Sequence, residues 1–314
     1  SMDAALATDA PQLHRARAGN VLVHGRVERG AAETALAASD AVVEGVFETG
    51  FVEHAYIEPE AGIARRVGDR IEVQACTQAP YMDRDDVAKI LGIPLDAVRI
   101  IPTAVGGGFG SKLDLSVQPF IAVAAWHLKQ PVRMVYTRPE SIATTTKRHP
   151  GRMRVRVGAN RDGKLTAMDF AGDFNTGAYA SWGPTVASRV PVHAMGPYAI
   201  ANVRTWGEAF FTNGPPAGAF RGFGVPQAAI AHEAMMDSLA DELSIDRLEF
   251  RHRNALRAGD TTATGQTLAH SAGLAECLDA LRPHWLHARE RAAAFNAKAG
   301  VRRRGVGIGC MWYG

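Results

Sequence analysis

Four glycines in five positions, from Gly106 to Gly110 in the stretch "VGGGFGSKLD", are the first residues that suggest chemistry. Glycine is used where the backbone needs positive φ or must approach another group closely. The stretch follows a predicted strand, "VRIIPTAV", and precedes a predicted helix, "LSVQPFIAVAAWHL". Backbone N–H groups exposed in such a turn can bind a phosphate or another anionic cofactor group. On this stretch alone, a tight turn between two packed elements is the better explanation.

A second glycine cluster, "GPPAGAFRGFGVPQAAIAHE", has the same order of strand, glycine-rich turn and helix. Arg221 lies beside Gly222, and Phe223 comes just after it. An arginine in such a turn can present both its backbone and its guanidinium group to an anion. The helix that begins near Pro226 directs its positive N-terminus to the same region. Two such clusters favour one shared anionic ligand over coincidence.

The composition is that of a folded globular protein. The chain has 314 residues, 46% of them apolar and 21% charged, with a formal net charge of +3. So small a charge gives no support for nucleic-acid binding, and no apolar run is long enough to span a bilayer. Cys76, Cys277 and Cys310 are too few and too far apart to hold an iron–sulfur cluster. Sparse, unpaired cysteines are typical of a reducing compartment, so we expect a cytoplasmic protein.

Hairpin patterns and helical patterns alternate along the chain, which predicts an α+β fold with mixed sheets and packed helices. Hairpins are predicted around Gly68 and Gly163, and the clearest helix follows Pro226. We expect residues 1–40 to be an N-terminal lead or linker. Residues 41–300 would form the main domain, with one or two α+β subdomains. Residues 301–314 resemble the start of a strand, which suggests a piece of a longer polypeptide or one subunit of a split one.

Taken together, "TAVGGGFGSK" and "GAFRGFGVPQAAIAHE" resemble the molybdenum-binding subunit of the xanthine dehydrogenase and aldehyde oxidase family. The segments "TGFVEHAYIEPEAG", "ACTQAPYMDRDDVAKILGIPLDAVRI" and "VRMVYTRPESIATTTKRHP" fit the same family in order and approximate separation. The resemblance extends from about residue 40 to the C-terminus. It implies the first half of a molybdopterin-binding region.

The resemblance assigns cofactor-binding roles to five residues. Gln78 corresponds to a glutamine that hydrogen-bonds an oxo ligand and the pterin side of the cofactor. Gly108, Phe109 and Gly110 correspond to the glycine–phenylalanine–glycine step whose backbone approaches the molybdenum ligands. Arg221 corresponds to an arginine whose backbone lies beside the cofactor. No side chain of this chain is expected to bind the metal directly.

Three further residues correspond to the family's substrate positions. Phe223 matches an aromatic ring that packs against a flat substrate, and Arg189 matches an arginine that polarises a substrate oxygen. Leu113 stands where purine-oxidising members have a glutamate, which favours a less polar heterocycle or an aldehyde over xanthine. Asp114 is adjacent, but we expect it to point away from Leu113, because neighbouring side chains on an extended chain face opposite ways.

The resemblance implies oxidative hydroxylation of an N-heteroaromatic compound or an aldehyde with water. It also implies a molybdenum cofactor, in the molybdopterin cytosine dinucleotide form, with iron–sulfur clusters and FAD on partner subunits or domains. The family's catalytic glutamate would lie beyond Gly314, in a second molybdopterin-binding domain, so the chain alone should be inactive.

Two other functions remain open. The chain could be a non-catalytic fragment or partner-binding domain with an empty cofactor site. It could also bind a nucleotide, although "GGGFGSK" lacks P-loop spacing and no acidic residue follows at the distance expected for a dinucleotide-binding unit.

Overall fold

The computed structural model describes residues 1–298 and 300–313 of the chain. The strands are β1 (Val21–Arg29), β2 (Ala41–Thr49), β3 (Ala61–Val67), β4 (Arg70–Ala75), β5 (Val98–Pro102), β6 (Val132–Val135), β7 (Gly151–Ala159), β8 (Leu165–Gly177) and β9 (Asn202–Phe211). The helices are α1 (Met2–Leu6), α2 (Ala32–Ala37), α3 (Pro80–Leu91), α4 (Gln118–Leu128), α5 (Arg138–Thr144), α6 (Gly183–His193), α7 (Val225–Glu242), α8 (Arg247–Asn254) and α9 (Leu274–Asn296).

The larger sheet has five strands in the order β1-β9-β8-β7-β2, with β8 and β9 parallel and the other pairs antiparallel. Its strands alternate as the sequence predicts: Met153 and Val155 on β7 are buried, while Arg154 between them is exposed. The predicted hairpin between β7 and β8 is confirmed, with Gly163 at a φ of +75° in its turn. This alternation buries one face of the strand beneath a helix layer.

The smaller sheet has four strands in the order β5-β4-β3-β6, with β4 and β5 parallel. The predicted hairpin is confirmed here too: β3 pairs antiparallel with β4, and Gly68 turns between them at a φ of +61°. Both sheets therefore mix parallel and antiparallel pairs. The predicted α+β fold with mixed sheets is confirmed.

Helices cover each sheet and close two hydrophobic cores. In the larger core, α6 packs on β1 and β9, and α7 packs on β2 and β7. In the smaller core, α3 and α4 pack on β5 and β3. The predicted helix after Pro226 is α7, whose buried residues recur at helical spacing. Among the described helices, none is both long and apolar enough to cross a membrane.

Two expectations about the ends of the chain are wrong at the level of secondary structure. Residues 21–29, placed in the N-terminal lead, form β1 and pair with β9. Within residues 301–313 the structure assigns no strand, although Val306, Ile308 and Trp312 pack on the larger core at the alternation of a strand. No described strand pairs with them. Gly314 lies outside the described residues, and the domain boundaries at residues 40 and 300 stay predictions.

Candidate functional site

The two glycine-rich turns lie against each other. The backbone N–H of Arg221, in the second turn, donates to the carbonyl oxygen of Phe109, in the first, at 2.9 Å. Gly110 has a φ of +109°, and a Cβ atom built on it would lie 2.8 Å from the carbonyl oxygen of Ala219. Glycine at position 110 is therefore required both by its backbone conformation and by the closeness of the second turn.

Gln78 is attached to the first turn by its backbone and by its side chain. Its Oε1 accepts a hydrogen bond from the N–H of Gly110 at 3.0 Å, and its own N–H donates to the carbonyl of Lys112 at 2.9 Å. A Cβ at Gly108 would lie 2.3 Å from Oε1 of Gln78, so a larger residue would displace the amide. Its Nε2 has no hydrogen-bond partner in the described part of the chain. The amide is held in place with its donor free.

Each turn holds a phenylalanine at positive φ, +52° at Phe109 and +46° at Phe223. Bulky residues rarely adopt this conformation, and such strain clusters at functional sites. Phe109 is 48% exposed, so burial of its ring does not account for its presence. The carbonyl of Phe109 instead accepts the bond that joins the turns.

A partly buried ion pair between Glu58 and Lys112 supports the first turn. Glu58 accepts hydrogen bonds from the N–H of Gly106 at 2.8 Å and from Nζ of Lys112 at 2.7 Å. Burial acts to raise the pKa of Glu58, but these two hydrogen bonds outweigh it and leave the pKa below its usual value. The Lys112 side chain is only 2% exposed and is committed to this role.

His54 and Arg148 support the second turn. Nε2 of His54 lies 2.8 Å from the carbonyl oxygen of Ala219, and the imidazole stacks on Phe220 at 4.0 Å. Burial lowers the pKa of His54, which favours a neutral ring that donates to this carbonyl. Arg148 lies over the Phe220 ring at 3.9 Å and donates to the carbonyl of Arg221 at 2.8 Å. The residues around Arg148 in the chain carry no sign of this long-range contact, so its role could not be predicted from the sequence.

Arg189 and Phe223 are close in space, as substrate residues should be. The guanidinium carbon of Arg189 lies 5.9 Å from the centre of the Phe223 ring and 5.0 Å from that of Tyr313. Trp182 meets Phe223 edge-on at 5.9 Å. Arg189 is on α6, which continues through Pro191.

Leu113 lines a different space, a cavity of about 960 Å³ that begins where the first turn ends. Asp114 lines the same cavity, so the expectation that the two side chains face opposite ways is wrong. The reason is local: residues Ser111–Leu113 form a 3₁₀ turn instead of an extended chain. Oδ2 of Asp114 accepts a hydrogen bond from Oγ of Ser181 at 2.8 Å, and burial raises the pKa of Asp114 to about 6.

The exposed edge of the joined turns fits an anionic, hydrogen-bond-accepting group. It presents the free amide donor of Gln78 and the exposed side chain of Arg221, whose guanidinium makes no ion pair within the described residues. Residues 1–298 and 300–313 contain no group of three or more His, Cys, Asp or Glu side chains placed to hold a metal ion. A metal bound here would depend on a carrier molecule for its ligands.

Comparison with known proteins agrees with this geometry. Residues 13–255 match the molybdopterin cofactor-binding domain family. The chain is 44% identical over 285 residues to the nicotinate dehydrogenase large molybdopterin subunit of Eubacterium barkeri, covering 90% of this chain and 66% of that protein. It is 36% identical over 313 residues to the xanthine dehydrogenase molybdenum-binding subunit of Escherichia coli O157:H7, covering 99% of this chain and 41% of that protein.

A solved structure, the aldehyde oxidoreductase of Desulfovibrio gigas, superposes with a TM-score of 0.90 at 32% identity, covering 94% of this chain and 32% of that one. The chain therefore spans between about a third and two thirds of the length of these relatives. By sequence and by fold, it belongs to the molybdopterin cofactor-binding domain family of the xanthine dehydrogenases and aldehyde oxidoreductases.

Proposed function

We propose that this chain forms one side of the cofactor site of a molybdenum hydroxylase, which oxidatively hydroxylates an N-heteroaromatic compound or an aldehyde with water. The observation that carries the proposal is the hydrogen bond between Arg221 and Phe109, which joins two strained glycine-rich turns into one surface. Packing alone does not call for two phenylalanines at positive φ there.

The chain's own residues bind and orient the cofactor. The Nε2 group of Gln78 is free to donate a hydrogen bond, while its Oε1 is held by Gly110. Gly108 leaves room for this amide, and the Arg221 side chain supplies positive charge at the same edge. When bound, the molybdenum cofactor supplies the transfer of oxygen to carbon and accepts the two electrons released. The cytosine dinucleotide form is part of this proposal.

Phe223 and Arg189 would bind the substrate. The ring of Phe223 is fixed by Trp182 and would pack against a flat substrate, as aromatic pairs do. The guanidinium of Arg189 lies on the rigid helix α6, close enough to that ring to stabilise negative charge that develops on the substrate. Leu113 offers no hydrogen bond, which disfavours xanthine itself.

Completion of the site requires partners. We propose a second molybdopterin-binding domain or subunit that carries the catalytic glutamate, and iron–sulfur and FAD subunits that remove the electrons. The names of the relatives, a large molybdopterin subunit and a molybdenum-binding subunit, support an assembly of several subunits. On this proposal the chain alone is inactive. A cytoplasmic location stays a prediction that is based on its free cysteines.

The test is to co-produce the chain with a second molybdopterin-binding half from the same source, then measure bound molybdenum and the incorporation of ¹⁸O from labelled water into the product. We expect stoichiometric molybdenum and labelled product. Gln78→Leu should lower the molybdenum content, whereas Gln74→Leu, an exposed glutamine on β4, should not. An assembled, folded complex without molybdenum would instead favour the partner-binding alternative.

A further inference from the structure

The cavity of about 960 Å³ beside the first turn is lined by both apolar and hydrogen-bonding side chains. Its wall includes three carboxylates and several hydroxyls, contributed by residues Glu60, Asp86, Asp114, Ser111, Tyr136 and Thr146. Asp86 is paired with Lys89 at 3.0 Å. The other two carboxylates have no cationic partner in residues 1–298 and 300–313.

Glu60 is the strongest sign that a ligand is missing. Its side chain is 1% exposed and lines the cavity. One carboxylate oxygen accepts a hydrogen bond from the hydroxyl of Tyr56, but Oε2 has no partner among the described residues. A buried acceptor without a donor is destabilising by about 1–3 kcal/mol, and more when it is charged. Such a group is retained where a ligand or a bound water satisfies it.

Two further residues that line the cavity, Thr146 and Asp114, also have a side-chain oxygen without a hydrogen-bond donor in the described chain. Oγ1 of Thr146 is buried and has no hydrogen-bond partner within the described chain. Asp114 accepts one hydrogen bond from Ser181 and has its second oxygen free. The one cation in the lining, Lys112, is bound to Glu58 and so does not neutralise them.

We propose that this cavity binds a small, flat compound through its hydrogen-bond donors, and that it prefers a cation, such as an amino-substituted pyridinium, over a neutral or anionic analogue. Glu60 and Asp114 accept the donors, and Leu113, which lines the same cavity, contacts the apolar face of the ring. The inference rests on the proposed function only through Leu113, one of the proposed substrate residues. Phe223 and Arg189 are not among the residues that line this cavity, so it would be a separate binding site for amino-substituted N-heteroaromatic compounds.

Calorimetric titration of the cofactor-free chain at about pH 7.5 tests the preference, because 4-aminopyridine is protonated there while 4-methylpyridine is neutral and nicotinate is an anion. We expect 4-aminopyridine to bind at least about tenfold more tightly than either analogue. Glu60→Gln keeps the shape of the side chain and should weaken binding about tenfold. Asp114→Asn should weaken it further. Glu72→Gln is the control, since Glu72 is paired with Arg65 and does not line the cavity.

Three results would overturn the inference: equal affinity for the three probes, no measurable binding of 4-aminopyridine, or unchanged affinity in both cavity variants when each is folded by circular dichroism. Binding is measured without molybdenum, so the two proposals can fail separately. If the chain prefers the cationic probe but the assembled complex hydroxylates no substrate, only the proposed hydroxylase function is refuted. If the complex retains molybdenum and forms labelled product but the chain binds the three probes equally, only the inference about the cavity is refuted.

Discussion

Replacing Gly110 by alanine tests whether the two turns must meet as the structure shows. The residue has a φ of +109°, where an L-residue costs about 1–3 kcal/mol. The new methyl group would also lie 2.8 Å from the oxygen of Ala219 and 3.1 Å from the nitrogen of Phe220. These are backbone atoms that cannot rotate away, so overpacking adds about 1–3 kcal/mol. We therefore expect Gly110→Ala to lower the free energy of unfolding by about 2–6 kcal/mol.

The matched control is Gly68→Ala in the hairpin between β3 and β4. Gly68 also has positive φ, +61°, but nothing lies within 4 Å of an added Cβ. The Gly68→Ala variant should be destabilised only by the cost of the left-handed conformation, about 1–2 kcal/mol. Urea unfolding of both variants, followed by circular dichroism, measures the difference. If Gly110→Ala costs no more than Gly68→Ala, the second turn does not lie against Gly110, and the joined surface is refuted.

Three further outcomes are expected. Burial raises the pKa of Asp114 to about 6, so the folded state holds that proton more tightly than the unfolded state. The free energy of unfolding should therefore fall by about 3 kcal/mol as the pH rises from about 4 to above 6. Urea unfolding at several pH values measures this fall, and Asp114→Asn should remove it. Arg251→Met should lower the free energy of unfolding by about 3–5 kcal/mol, because it leaves Glu233 buried without its partner at 2.8 Å. Arg247 is more exposed, so Arg247→Met should lower it by about 1 kcal/mol or less in the same urea unfolding assay. Phe223→Ala should lower kcat/KM of the assembled enzyme by at least about tenfold for a heteroaromatic substrate, and by much less for a small aliphatic aldehyde. Only the heteroaromatic substrate has a flat ring that loses its stacking partner. Equal losses for the two substrates would contradict the role of Phe223 in substrate binding.

The sequence predicted the turns well because their signals are local. Gly108 and Gly110 are needed for close approach and positive φ, and both requirements are visible as glycine itself. Pro226 marks the start of α7 in the same way. That the turns meet was inferred from their similarity and is confirmed by the hydrogen bond from Arg221 to Phe109.

Other features depend on contacts that no local pattern encodes. The 3₁₀ turn before Asp114 reverses the expected direction of its side chain, and Gly110, which precedes the turn, does not by itself predict it. The helix α6 that carries Arg189 continues past Pro191, which a local pattern would take as a helix end. Oε2 of Glu60 becomes notable only when its surroundings are known to lack a donor in the described chain.

The supports of the site are separated from the surface that would bind a ligand, and this separation explains how strained turns persist. Glu58 fixes the first turn from beneath through Gly106, and Arg148 fixes the second through the carbonyl of Arg221. Each uses a charged hydrogen bond to backbone, which is worth more than a neutral one. The backbone strain at Phe109 and Phe223 is thus offset by contacts that leave the free amide of Gln78 unoccupied. A turn held in place before any ligand arrives avoids the entropy cost of ordering during binding, so the site is arranged for binding through rigid backbone and not through mobile side chains.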